Sequence, residues 1–162
     1  MVSFFKAHQS AEKISSLLSG LGIVFLVLFA GWLRTHLRSR GSGALASAAF
    51  GGAVVLAVGG ATRAGIGWAL AAGHDKLDPG AAQTLNVLFA SHYPAIVGIA
   101  VFMFATWVAI LRTGALPRLL GWAALPIGLI AIAPPSLIPL IATGVWILAA
   151  SVLAYMRGGQ AD

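Results

Sequence analysis

ISSLLSGLGIVFLVLFAGWL, residues 14–33, is followed at once by RTHLRSR, residues 34–40. At about 1.5 Å per residue the first stretch extends ~30 Å, the thickness of a bilayer's hydrocarbon core. It carries no charge, and Arg34, Arg38 and Arg40 with Gly41 and Gly43 close it, so it reads as a membrane span with a stop and a turn. A secretory signal is a poor reading, because the run is a full span and arginines stand where a small-residue cleavage site would be.

Composition extends this reading to the whole chain. Of 162 residues 59% are hydrophobic and only 9% charged, with mean hydropathy +0.94, where a soluble domain carries roughly 25% charged residues. A water-soluble domain is thereby excluded. The chain has no Cys, which removes disulfides, thiolate metal sites and cysteine nucleophiles. The net charge of +6 is scattered between apolar runs and forms no basic face, so membrane lipids, and no nucleic acid, are the expected partners.

Four further runs follow. Residues 44–72 and 82–111 are longer than the core and flank GHDKLDPG, residues 73–80, whose composition is that of a turn. Pro94 marks a kink within the second of these runs. Residues 119–156 are apolar but contain Pro134, Pro135 and Pro139, which exclude one straight helix and divide the run into a short span at 119–133 and a full one at 137–156. The alternative is one strongly kinked or re-entrant segment. The expectation is an all-α, polytopic membrane helix bundle of five transmembrane helices at 14–33, 44–72, 82–111, 119–133 and 137–156. Residues 1–13 would be an external interfacial lead-in and 157–162 a short cytoplasmic tail.

Five passes collect Arg34, Arg38, Arg40, Arg112, Arg118 and Arg157 on one side. Lys6, Lys13, Lys76, Glu12, Asp75 and Asp78 fall on the other. Positive residues are retained in the cytoplasm, which predicts an external N-terminus and a cytoplasmic C-terminus in a bacterial plasma membrane, with the arginines as cytoplasmic anchors. Trp32, Trp107, Trp122 and Tyr155 fall near the arginine-rich ends, and Trp68 and Tyr93 near the other interface, where amphipathic rings prefer to sit. Trp146 lies mid-span and breaks the pattern.

The stretches VSFFKAHQSAEKISSLLSGLGIVFLVLFAGWLRTHLR (2–38), LDPGAAQTLNVLF (77–89) and LRTGALPRLLGWAALPIGLIAI (111–132) resemble a family of uncharacterised multi-spanning membrane proteins of high-GC Gram-positive (actinobacterial) bacteria. RTGALPRLLGW, residues 112–122, carries the resemblance best, as a basic turn that opens the next helix. The family implies a membrane bundle and brings no known activity or cofactor. Its members usually have one more hydrophobic helix ahead of the segment matching residues 2–8.

Few residues invite chemistry. Ala49, Ala53, Ala57, Ala61, Gly65 and Ala69 recur at i, i+4, a seam that lets a neighbouring helix approach closely, read as contact within the bundle with a dimer interface as the alternative. Arg63 is the one basic residue inside an apolar run, and such charges are costly to bury. Counted back from the turn it is level with His92 near the external interface. It points away from the Ala61 and Gly65 line, so it is read as snorkelling to lipid phosphate or water, the alternative being a ligand role. His92 has no His, Met or Cys partner for haem or metal, and no metal or cofactor is expected. In the third run Gln83 and Asn86 share one face, Thr84 and Ser91 another and His92 a third, which argues against a selective pore. Asp75 and Asp78 could be paired acids, but beside Pro79 and Gly80 turn chemistry is plainer, with Asp78 as N-cap. No catalytic site is expected, since no nucleophile motif or phosphate loop is present. The expected function is a non-catalytic accessory, packing or scaffold component of a membrane assembly. The alternatives are a carrier or binder of a lipid or small hydrophobic or anionic molecule at Arg63 and His92, and a haem or quinone protein.

Overall fold

A computed structural model describes residues 9–72, 78–90, 92–133 and 137–158. The expected lead-in residues 1–8, the turn residues 73–77 with Asp75 and Lys76, and the last four residues lie outside the described residues. Six helices make up the described chain: α1 (Gln9–Ser39), α2 (Gly43–Ala72), α3 (Pro79–Ala90), α4 (Tyr93–Thr113), α5 (Arg118–Ile132) and α6 (Ile138–Gly158). There is no strand among them. With α3 and α4 sharing one pass, the chain forms an up-and-down bundle in which four passes are long and apolar enough to cross a membrane. The 15-residue α5 is the short one.

The first helix is longer at both ends than residues 14–33. Helical hydrogen bonding does not stop at the hydrocarbon boundary, and Arg, Gln and Glu are good helix formers, so Gln9 to Lys13 and Arg34 to Ser39 continue the rod. What ends it is Gly41 in the left-handed region (φ 87°). Gly41 N–H donates to the Arg38 carbonyl at 3.1 Å and Ser42 N–H to the Leu37 carbonyl at 3.1 Å, the paired bonds of a Schellman motif. His36 therefore sits on a helix and not in a loop. Its ring stacks on Trp32 at 5.2 Å, and its Nε2 lies 3.0 Å from the carbonyl of Ala115, tying α1 to the α4–α5 turn. That turn begins at Gly114 (φ 62°), whose N–H donates to Ile110.

The third pass is interrupted, not merely kinked. Pro94 lacks an N–H, and inside a continuous helix its ring would strike the carbonyl four residues earlier, that of Ala90. α3 stops at Ala90, and α4 restarts with Pro94 in its first turn, where no N–H is needed. At the other end of α3, Asp78 Oδ1 accepts from Gly80 N–H at 2.7 Å and Ala81 N–H at 3.3 Å, the bonds of an N-cap.

α2 packs against α1 and α4, α4 against α5, and α5 against α6, which also touches α4. The core joins Leu33 and Leu37 of α1, Ala49, Ala53 and Leu56 of α2, Ile99, Phe102 and Ile110 of α4, Leu120 of α5 and Trp146 of α6. Trp146 has its reason here: it is 3% exposed, meets Phe102 edge to face at 5.9 Å, and its Nε1 donates to the Leu120 carbonyl at 2.8 Å. A tryptophan can be buried when its N–H finds such a partner. Large apolar side chains outside the core, among them Phe25, Leu28, Val58, Leu129 and Leu148, are exposed, as lipid-facing residues are.

Candidate binding pocket

The site begins with the interruption between α3 and α4. With the helix stopped, the Ala90 carbonyl is free, and His92 supplies it with a donor, Nδ1 lying 2.7 Å away. A carbonyl only accepts, so Nδ1 carries the proton. In the neutral imidazole that leaves the Nε2 lone pair as an acceptor. Nε2 is buried and has no partner. His92 itself takes a bridge-region conformation (φ −99°, ψ 7°), and its own carbonyl accepts the Ile96 N–H at 3.0 Å, starting α4.

Arg63 comes to the same place from α2. It lies 20 residues beyond Gly43, about 30 Å up the helix, so it stands one hydrocarbon thickness from the arginine-bearing end. Its side chain is half-buried, its guanidinium carbon rests 4.2 Å over the ring of Phe89 on α3, and its Nε is buried without a hydrogen-bond partner. The one carboxylate among the described side chains, that of Asp78, is engaged in capping α3. Arg63 is therefore a positive charge with no described counter-ion.

Between the two residues is a cavity of about 200 Å³. Ser19, Gly22 and Ile23 of α1, Leu56, Gly59 and Gly60 of α2, Pro94 and Ala95 of α4, and Leu140 of α6 complete it. Glycines create the space and also fix its floor. A Cβ on Gly59 would come within 2.7 Å of the Ala95 backbone nitrogen, so α2 and α4 meet there main chain to main chain. The lining is mostly apolar, and its polar side chains are those of Ser19, Arg63 and His92. An Arg63 donor beside a His92 acceptor matches an anionic head that also bears a hydroxyl, on an apolar body.

The rotation of α2 differs from the expected one. Arg63 is on the inner side, not turned out to lipid. Of the i, i+4 seam, Ala49, Ala53 and Ala57 are buried, while Ala61, Gly65 and Ala69 are exposed. Four residues turn a helix by about 400°, so an i+4 line drifts ~40° per step and has passed to the opposite face after five. The line that stays inside alternates three and four: Ala46, Ala49, Ala53, Leu56, Gly60, Arg63, Gly67 and Leu70 are all buried or half-buried. That 3-4 alternation was the available signal. Gly52 and Gly98, which sequence reasoning did not pair, make the closest approach among the described glycines: a Cβ on Gly52 would collide with the Phe102 backbone nitrogen, and one on Gly98 with that of Leu56. Phe89, the platform under Arg63, was not anticipated either.

The arginine end gathers Arg34, Arg38, Arg40, Arg112 and Arg118, since α1 and α4 end there and α2 and α5 begin there. Arg34 is half-buried and the other four are exposed. Among the described residues no three His, Cys, Asp or Glu side chains stand together as metal ligands. Compared with known proteins, the chain matches no protein-family profile, no curated protein and no solved structure.

Proposed function

We propose that this chain is a non-catalytic multi-pass protein of a bacterial plasma membrane that holds an anionic amphiphile, a lipid or a small molecule with an apolar body, between Arg63 and His92. The observation that carries the reading is that Arg63 and His92, each with a buried nitrogen left without a hydrogen-bond partner, line one mostly apolar cavity. Buried polar groups left unmade cost about 1–3 kcal/mol each, more when charged, so a ligand that supplies an acceptor to Arg63 removes a standing penalty. An oxygen of the ligand accepts from Arg63, and a hydroxyl of the ligand donates to His92 Nε2. The proposed orientation places this pocket at the external interface and the arginine cluster in the cytoplasm.

The test is ligand content. Full-length protein purified in mild detergent should carry a co-purifying anionic amphiphile, identified by mass spectrometry of the extract. Arg63→Ala should reduce its occupancy roughly ten- to hundredfold, the range expected for a charge-assisted bond, while elution stays monodisperse. Unchanged ligand content in a folded Arg63→Ala protein sinks the reading.

A second reading, an accessory or scaffold component of a membrane assembly, is favoured by the outward Ala61, Gly65 and Ala69, a smooth strip on which another helix could pack. Cross-linking in native membranes that yields only monomer would remove it. Reporter tags near residues 75–78 and at Asp162 should report opposite compartments.

A further inference from the structure

A second recess lies at the opposite end of the bundle from the Arg63 pocket and is independent of it. On α1, Gly31, Arg34 and Arg38 follow the 3-4 spacing of one helix face, and Phe50 of α2 stands across from them. The groove between has a volume of about 460 Å³. Gly31 has nothing within 4 Å of where a Cβ would be, which leaves the groove's inner end open. The Arg34 guanidinium lies 5.3 Å from the centre of the Phe50 ring, and its Nε is buried with no hydrogen-bond partner. Arg38, one turn on, is exposed. The hydroxyls of Thr35 and Ser39 donate to the carbonyls of Gly31 and His36, so the donors left for a ligand are the arginines.

We propose that this groove seats the phosphate of an anionic glycerophospholipid. Arg34, held against Phe50 and with its Nε–H buried and unpartnered, brings a guanidinium to the groove's lining, and a guanidinium can take two oxygens of one phosphate through a pair of N–H bonds. Arg38 adds a second charge, and Arg40, Arg112 and Arg118 at the same end make the potential there positive. Arg34 lies about 30 Å along α1 from Ile14, the depth of one hydrocarbon core, which puts the groove at headgroup level. One turn deeper on the same two faces, Val27 of α1 and Val54 of α2 are exposed, an apolar strip for the acyl chain. A soluble phosphate would use the arginines and leave that strip bare.

Native mass spectrometry of the full chain in detergent, titrated with phosphatidylglycerol and with phosphatidylcholine, reads the site. Wild-type protein should hold phosphatidylglycerol preferentially. Arg34→Gln and Arg34→Lys should each weaken it about tenfold, because a lysine keeps the charge but has no fork. Phe50→Leu, which keeps every charge, should weaken it a few-fold. Three results overturn the proposal: equal loss for Arg112→Gln and Arg34→Gln, which makes the attraction diffuse; undiminished binding by Arg34→Lys and Phe50→Leu alike; or displacement of the lipid by millimolar inorganic phosphate, which makes the ligand a soluble anion.

Discussion

The two halves of α2 are built from the same small residues and do opposite things. From Gly43 to Gly60 the helix is pressed into the bundle, with Ala46, Ala49, Gly52, Ala53, Leu56 and Ala57 buried and Gly52 locked against the α4 main chain. From Ala61 onward only Gly67 and Leu70 are buried among the residues whose side chains are described. The neighbour changes there: the lower half meets the continuous α4, while the upper half meets α3, a separate and shorter helix. Small residues therefore permit close packing without causing it. Whether a glycine is structurally required depends on what stands opposite.

Glycine-to-alanine substitutions along α2 break that comparison most directly, read as the thermal midpoint of monodisperse protein in detergent. Gly52→Ala should have the largest effect. Its Cβ would meet the Phe102 nitrogen and lie 2.9 Å from the Phe102 Cα, backbone that cannot swing aside, so α2 and α4 must separate. A loss near the top of the ~1–3 kcal/mol range for overpacked interiors is expected. Gly67→Ala should cost less than about 1 kcal/mol, since its Cβ meets the rim of the Phe89 ring at 2.9 Å and the ring can turn. Because that ring carries the Arg63 guanidinium, Gly67→Ala should also lower ligand occupancy, sharpening the link between the upper half and the pocket. Gly65→Ala, with nothing within 4 Å, should be neutral or stabilise by ~0.5–1 kcal/mol. A large loss at Gly65 with none at Gly52 would invert the account.

The passes themselves were legible because each is a hydropathy run ended by arginines, prolines or the Asp78 cap, signals local to the chain. Arg63 and His92 could be put at one level by counting from the turn between them. The rotation of α2 could not be read from small residues alone: they surround the helix, so no face stands out, and an i+4 line looks as good as the 3-4 line that packs. The place of the break in the third pass was half-visible. Pro94 announces trouble, but the stop falls at Ala90, where the displaced carbonyl is, and His92 becomes that carbonyl's partner. Trp146 was illegible for another reason, since its setting is made by Phe29, Phe102 and Leu120, residues far away in sequence.

The gap between α3 and α4 also divides the work of crossing the bilayer. The 21 residues of α4 reach about 31 Å, enough to cross the oily interior unaided, which releases the 12 residues of α3 from that duty. The hydrophobic length that the bilayer must match in this pass is then that of α4 alone. Phe89, the ring under Arg63, belongs to that released helix, so the cation's platform is held by the packing of α3 on α2 and not by the span itself.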